Sequence, residues 1–129
     1  MAGLPYGPVV LDHYLHPRNV GSLDPADARV GSAVVGSPML GEVLKLQIFL
    51  HGETIVQARF RAFGGGSAIA AGSWVTERLQ GHSLGEALDI RSQDIMNALE
   101  LPPVKMHSAL LAEDAIRAAV ADYTQKHLQ

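Results

Sequence analysis

The run VLKLQIFLHGETIVQARFRAF, residues 43–63, decides the fold because it contains two alternating strands joined by a short turn. From Val43 to Leu50, apolar side chains occupy every second position, which is typical of a strand with one buried face. His51-Gly52-Glu53 predicts a tight reversal, since glycine readily adopts a positive φ. The alternation resumes from Ile55 to Phe63, and the side chains predicted on its buried side are Val56, Ala58, Phe60 and Ala62. We therefore expect an antiparallel hairpin with one solvated face.

The segments on either side of this hairpin predict one more strand and a set of helices. A strand is expected at Val30 to Val35, after a loop from Arg18 to Ala28 that is rich in Asn, Gly, Asp and Pro. The predicted helices are Val9–Tyr14, Ser67–Leu79, Ser83–Ile90, Ser92–Leu99 and Ser108–His127, with serine caps at Ser67, Ser83 and Ser92. The order predicts an α+β fold, a three-stranded antiparallel sheet with a layer of helices on one face. Because no linker divides residues 1–129, a single domain is expected.

The charge of the chain excludes some classes of partner. Ten Lys and Arg against 13 Asp and Glu leave a net charge of -3, whereas nucleic-acid and anionic-membrane binding need a cationic surface. No apolar stretch is long enough to cross a membrane. The first residues lack the basic and apolar regions of an export signal, so we expect a cytoplasmic location.

The chain contains no cysteine. This excludes disulfides, thiolate nucleophiles, and zinc or iron–sulfur sites built from the thiolates of this chain.

Other candidate motifs favour structural interpretations. Gly64-Gly65-Gly66 before Ser67 is compatible with phosphate binding at a helix N-terminus. No Gly-Lys-Ser/Thr follows, so a strand-to-helix turn is favoured instead. His13 and His16 share a helix face without a supporting carboxylate cluster, so surface or capping histidines are favoured over metal ligands. Spacing alone supports no Ser/His/Asp arrangement and no pair of catalytic carboxylates. We therefore expect no enzyme.

Leu101-Pro102-Pro103-Val104-Lys105 is the most distinctive short segment. Its two prolines favour an extended conformation with few internal hydrogen bonds, ending in a cation. Such a segment is either a rigid connection between helices or a peptide recognised by the groove of a partner. The residues themselves favour the connection.

The chain resembles the iron–sulfur cluster scaffold family, which includes IscU and the N-terminal domain of NifU. The resemblance extends in order from about Tyr6 to Tyr123. The matching segments are Asp12–Tyr14, Pro17–Gly21, Gly41–Ile48, Ala58–Phe60, Gly64–Ala70, Leu101–Lys105 with His107, and Leu111–Ile116.

This resemblance implies a fold, an activity and partners. Members of the family have a three-stranded antiparallel sheet with a helical layer. They accept sulfur from a cysteine desulfurase, assemble a [2Fe–2S] cluster with iron, and deliver it to apo-proteins. The Leu101–Lys105 segment corresponds to the peptide that a heat-shock chaperone pair recognises in this family. The resemblance thus favours partner binding for that segment.

The residues that differ from the family pattern lie at its cluster-binding site. Where the family has three cysteines, this chain has Leu40, Gly65 and Ser108. The resemblance also implies an aspartate and a histidine as ligands, and Glu42 and His107 occupy those positions. One carboxylate and one imidazole predict at most weak iron or zinc binding, with no cofactor expected on the isolated chain. We expect Leu40 to bury its side chain in place of a thiolate, giving a metal-independent fold.

We therefore predict a degenerate scaffold homologue that works as a non-catalytic binding or regulatory module. Its expected partners are the cysteine desulfurase, the chaperone pair, or both. Two alternatives stay open: a repurposed pocket around Met39, Leu40 and Gly65 that binds a metal ion or a small apolar ligand, and cluster assembly with a cysteine-bearing scaffold that supplies the thiols.

Overall fold

The computed structural model describes residues 6–128, and its centre is a three-stranded antiparallel sheet in the order β1-β2-β3. The strands are β1 (Val30–Ser37), β2 (Glu42–His51) and β3 (Thr54–Phe63). The helices are α1 (Pro8–Leu15), α2 (Gly66–Leu79), α3 (Leu84–Leu88), α4 (Ser92–Leu99) and α5 (Met106–Lys126), with 3₁₀ turns at Pro38–Leu40 and Pro103–Lys105. Helix α5 packs on β1 and β2, and α2 packs mainly on β3. The predicted α+β fold is confirmed.

Glycine lets the helices approach the sheet closely at two points. A side chain at Gly72 in α2 would collide with the ring of Phe60, and one at Gly31 in β1 would collide with the backbone oxygen of Ala119 in α5. The inward face of β2, which carries Leu44, Leu46, Ile48 and Leu50, is almost completely buried beneath these helices. Burial of this continuous apolar layer is the main stabilising contribution to such a fold.

A β-bulge changes which residues at the start of β3 face the core. Phe49 pairs with Gln57, whereas Leu50 pairs with Ile55, so Val56 is an extra residue without a partner in the register. Val56 is consequently exposed and Ile55 is buried. The prediction that Val56 shares the buried face with Ala58 and Phe60 is wrong, because a regular period of two cannot account for an inserted residue.

The outer face of the sheet is only partly solvated, because the loop before β1 crosses it. Gln47 was predicted on the solvated face, but it is buried. The Leu23 N–H donates to Gln47 Oε1 at 2.7 Å, and Gln47 Nε2 donates to the Leu23 carbonyl at 2.9 Å and to Ser32 Oγ at 3.1 Å. These bonds satisfy the buried amide and fix the loop to the sheet.

One of the three predicted serine N-caps is observed in the structure. Ser83 forms a capping box with Glu86 at the start of α3, as predicted. Ser92 lies inside α4, where Asp94 instead accepts from the backbone N–H of Arg91. Ser67 lies one residue inside α2, whose N-cap is Gly65, and its hydroxyl is buried. Helix α5 begins at Met106 rather than at Ser108.

The predicted surface role of His13 is wrong, because His13 is buried between α1 and α2. Its Nδ1 lies 2.7 Å from Ser73 Oγ, which also accepts from the backbone N–H of Arg18 at 2.9 Å. Ser73 Oγ therefore links the buried ring to the backbone of the segment that follows α1. His16 is the C-cap of α1, in agreement with a capping role. Among residues 6–128, no helix is long and apolar enough to cross a membrane.

His13 makes the stability of the fold depend on pH. Burial is the largest effect and lowers the pKa of His13 below its usual 6.5; Arg18 lowers it further, while Glu77 and Asp12 oppose the change. As the pH falls below 6.5, the unfolded chain therefore takes up a proton that the folded chain excludes. The free energy of unfolding should fall by at most about 1.4 kcal/mol per pH unit from this group.

Urea unfolding between about pH 7 and pH 5 measures this slope. His13→Gln should remove the contribution, whereas His51→Gln at the exposed end of β2 should leave it, since the His13 ring is intact. An unchanged slope in His13→Gln would contradict this prediction.

Candidate functional site

Glu42 occupies the centre of the candidate site because of its position in β2. It shares the alternating face of Leu44 and Leu46, and that face points towards α5. The chain reaches Glu42 through the 3₁₀ turn Pro38–Leu40, which Ser37 caps and which Gly41 ends with a φ of 88°. Pro38 starts this turn and Gly41 reverses it, so both bounds are predictable from residue type.

The first turn of α5 supplies two groups that contact the Glu42 carboxylate. Ser108 Oγ donates to Glu42 Oε1 at 3.0 Å and lies 3.1 Å from Oε2. His107 Nε2 lies 2.5 Å from Glu42 Oε2, and this contact is an ion pair whenever the imidazole is protonated. The N-terminal end of a helix also favours a negative charge. These interactions together stabilise a carboxylate whose side chain is only 12% exposed.

A fourth residue, Ser67 in the first turn of α2, extends this network. Its hydroxyl lies 2.8 Å from Ser108 Oγ. Because Ser108 has one proton and directs it at Glu42, Ser67 is the donor to Ser108. The resulting chain of hydrogen bonds runs from α2 through α5 to β2. Both hydroxyls are buried, so neither serves as a nucleophile for an external substrate.

The glycine run packs against the same carboxylate. Gly64 has a φ of 139°, and a side chain there would lie 2.9 Å from Glu42 Cγ. Gly65 has room for a side chain, since its nearest neighbour would be Tyr6 Oη at 3.6 Å. The Gly66 N–H donates to Tyr6 Oη at 3.1 Å. Because this N–H is already hydrogen-bonded within the chain, the structure gives no support to phosphate binding at the start of α2.

Leu40 does not bury its side chain, and this expectation was wrong. Leu40 is 80% exposed and Met39 is 95% exposed, because the 3₁₀ turn projects from the end of the sheet. Leu40 lines a depression of about 140 Å³ together with Gly36, Glu42, His107 and Leu111. Pockets for small ligands usually have about 300 Å³ or more, so the repurposed-pocket alternative receives no support.

The donors in this site do not fit an iron–sulfur cluster. Glu42 and His107 provide one carboxylate and one imidazole, whereas the two serine hydroxyls are engaged in hydrogen bonds. Within residues 6–128, no group of three or more His, Asp or Glu residues is arranged to hold a metal ion. Clusters of this kind are bound by several thiolates, and the whole sequence contains none.

The Leu101–Lys105 segment is only partly extended. Pro102 has an extended conformation, but Pro103–Lys105 forms a 3₁₀ turn closed by a 2.8 Å hydrogen bond from the Lys105 N–H to the Pro102 carbonyl. Leu101 is buried in the core, while Pro102, Pro103 and Val104 are exposed. The Lys105 ammonium lies 5.9 Å from the centre of the Tyr6 ring, within cation–π range.

Comparison with known proteins places these features in a family. The family model described as "NifU-like N terminal domain" matches residues 5–129. The chain belongs to this family. It is similar to the iron-sulfur cluster assembly scaffold protein IscU of Escherichia coli K12, with 56% identity over 122 residues that cover 94% of this chain and 95% of the relative.

Two further similarities support the assignment. The mitochondrial iron sulfur cluster assembly protein 2 of Saccharomyces cerevisiae is 50% identical over 123 residues, covering 94% of this chain and 79% of the yeast protein. The crystal structure of a nitrogen-fixing NifU-like protein, N-terminal part, from Brucella abortus matches with a TM-score of 0.71 at 14% identity, covering 93% of this chain and 94% of the other. The structural similarity concerns the fold alone.

Sequence reasoning missed two residues of the site, Ser67 and Tyr6. Ser67 was interpreted as a cap because serine before a helical pattern usually is one. The observed N-cap is Gly65, two positions earlier, and residue type does not identify it when several glycines precede the helix. The hydroxyl of Tyr6 at the Gly66 N–H gives no local sequence signal, because the two residues are 60 positions apart.

We predict that the hydrogen-bond network, rather than a metal ion, stabilises this end of the fold. Ser108→Ala should lower the free energy of unfolding by about 1–3 kcal/mol, because Ser67 loses its acceptor and Glu42 loses a buried donor. Denaturant unfolding measures the change. Ser92→Ala is the control, since there the backbone N–H rather than the hydroxyl is bound by Glu113.

Thermal melting with added zinc and with an added chelator tests whether a metal ion contributes. The melting temperature of the unmodified chain should be the same with either addition, because metal binding stabilises only a folded state that has ligands for it. A strong zinc-dependent shift, or an unchanged stability of Ser108→Ala, would contradict a metal-free network.

We also predict that thiols can be restored at this site. Gly65 has space for a side chain, Leu40 is exposed beside Glu42 and His107, and Ser108 already contacts Glu42. The variant Leu40→Cys, Gly65→Cys, Ser108→Cys should bind about one zinc ion per chain and melt at a higher temperature with zinc. Metal analysis of the reduced protein measures the stoichiometry.

The matched control places three cysteines at exposed or half-buried positions elsewhere, Val56, Ser92 and Leu128. A folded site variant that binds no more zinc than this control would show that the three positions do not converge on one metal ion.

Proposed function

We propose that this chain is a cysteine-free homologue of the iron–sulfur scaffold that binds the protein partners of the scaffold pathway without carrying a cluster. Identity of 56% over nearly the whole length of the E. coli scaffold protein supports a shared partner network. The chain has no cysteine, so it lacks the thiolates that cluster assembly in the family requires. Binding without cluster assembly is the function that satisfies both observations.

The chemistry of the site argues against scaffolding by the isolated chain. Leu40 and Gly65 have no side-chain donor atom, and the Ser108 hydroxyl is held between Ser67 and Glu42. Accepting sulfur from a persulfide requires a thiolate that attacks the donor. The chain is therefore proposed to be neither an enzyme nor a cluster carrier, with at most weak iron or zinc binding at Glu42 and His107.

The exposed part of the Leu101–Lys105 segment is the observation that carries the proposal. Leu101 anchors the segment in the core, and the following turn presents Pro102, Pro103 and Val104 to solvent. Val104 is 75% exposed, which gives a partner groove an apolar side chain to bury. The family resemblance assigns this segment to a heat-shock chaperone pair, and we propose the same partner here.

The cysteine desulfurase is the second proposed partner. In the family it delivers sulfur to the three cysteine positions, so docking there would place Leu40 and Met39 against its surface. Two strongly exposed apolar side chains can be buried in such an interface. A chain bound in this way would occupy the desulfurase without accepting sulfur. Cooperation with a cysteine-bearing scaffold, and a cytoplasmic location for these encounters, are also predictions.

Direct binding to the purified chaperone and to the purified desulfurase tests the proposal. Val104→Ala should weaken chaperone binding by about tenfold, which corresponds to about 1.4 kcal/mol for a buried anchor side chain. Val56→Ala is the matched control, because Val56 is also exposed but lies at the opposite end of the sheet. Isothermal titration calorimetry measures both affinities.

The result of this experiment separates the two partners. Unchanged desulfurase binding by Val104→Ala, together with weaker chaperone binding, would support two distinct surfaces. If the unmodified chain binds neither protein at micromolar concentrations, the proposed function is wrong.

A further inference from the structure

The outer face of the sheet carries a cationic pair outside the candidate site. Lys45 in β2 and Arg61 in β3 lie directly opposite each other in the antiparallel register. By the alternation of both strands they point away from Leu44, Leu46 and Phe60, which face the helices. Like charges in directly opposed positions destabilise a sheet. The pair therefore needs a compensating interaction.

The contacts among the described residues do not neutralise this pair. The Lys45 Nζ and the Arg61 Nε both donate to Ser22 Oγ, each at 3.2 Å. Ser22 is uncharged, and it directs both cations to one point on the surface. Among residues 6–128, no carboxylate lies within 4.0 Å of the charged nitrogens of Lys45 or Arg61.

A third cation, Arg59, lies two residues before Arg61 on the same face of β3. Its guanidinium donates to the Ala58 carbonyl at 2.8 Å and lies 3.5 Å from Asn19 Oδ1, so neutral oxygens orient it as well. Three cations on one face stand out in a chain with a net charge of -3. Their combined field favours an anionic ligand that spans several positions.

Exposed apolar side chains flank the cations. Val34 pairs with Lys45 from the β1 side and is 64% exposed. Phe63 lies two residues beyond Arg61 on the same face of β3 and is 60% exposed. The loop that covers Gln47 ends this open area on one side. The surface thus places cations beside exposed apolar side chains, so an acidic partner could gain both charge pairing and apolar burial here.

We propose that the outer face formed by Val34, Lys45, Arg61 and Phe63, which we name the outer basic face, binds an acidic segment of a partner protein. Carboxylates of that segment neutralise Lys45 and Arg61, with Arg59 at the edge of the face beside the loop, and an apolar side chain covers Val34 or Phe63. The inference does not depend on the proposed function, because none of these residues belongs to the Glu42 site or to Leu101–Lys105.

The shape and the charge of the face favour an acidic protein segment over other anions. Arg61 is exposed on the open sheet face and three well-formed cavities are lined by other residues, so a small free oxyanion would have little enclosure beside it. Nucleic acids bind through many phosphate contacts, which need a more extensive cationic surface than this small group of side chains. A short run of carboxylates with one apolar residue matches cations beside exposed apolar side chains.

Fluorescence anisotropy with a labelled peptide of alternating glutamate pairs and leucine tests the proposal. The unmodified chain should bind it at about 50 mM salt, and affinity should fall steeply towards about 300 mM salt. The double variant Lys45→Gln, Arg61→Gln should lose at least about tenfold in affinity. Arg78→Gln is the matched control, since Arg78 is exposed on α2, and it should stay within about twofold of the unmodified chain.

Thermal melting confirms that the variants are folded and provides a second readout. Removing the opposed charges should leave the melting temperature unchanged or raise it, and the peptide should raise it only when Lys45 and Arg61 are present. Equal binding by the double variant would overturn the proposal. So would no binding at low salt, or a preference for inorganic phosphate or single-stranded RNA over the peptide at equal charge concentration.

Discussion

The Glu42 carboxylate is the group on which the organisation of the site depends. It lies at the start of a central strand, mostly shielded from water, and a charge in that position needs donors. Ser108 and His107 provide them from α5, and Ser67 completes the chain of hydrogen bonds from α2. Three separate elements are thereby joined at one point. The connection is made entirely by groups that belong to the chain.

Much of the fold could be predicted because it follows from local periodicity. The alternation in residues 43–63, the glycine turn and the apolar stripe of the last helix each depend on neighbouring residues alone. The features that escaped prediction depend on contacts between distant residues. The burial of Gln47 requires a loop more than 20 residues earlier, and the burial of His13 requires Ser73. The exposure of Val56 follows from a bulge that only the register of both strands defines.

The composition of the candidate site could be predicted, but its geometry could not. The resemblance predicts Leu40, Gly65, Glu42, His107 and Ser108 at one site. In the structure His107 and Ser108 contact the Glu42 carboxylate, Leu40 lines the depression beside it, and Gly65 follows the glycine that packs against Glu42. Leu40 was expected to bury its side chain, since an apolar residue that replaces a ligand would otherwise be exposed to water. Instead, the position of the 3₁₀ turn at the end of the sheet determines its exposure. Backbone geometry here outweighs the hydrophobicity of the side chain.

The two proposed binding surfaces are separate from the Glu42 site because they lie on a different turn and on the other face of the sheet. The Glu42 network lies where β2 meets the first turns of α2 and α5, whereas Pro102, Pro103 and Val104 belong to the turn that precedes α5. Lys45 and Arg61 lie on the opposite face of the sheet. Loss of thiols therefore removes cluster ligation without disturbing the side chains of either surface. Since the hydrogen bonds at Glu42 connect three elements, the chain has the fold of the family without the cysteines on which cluster ligation depends.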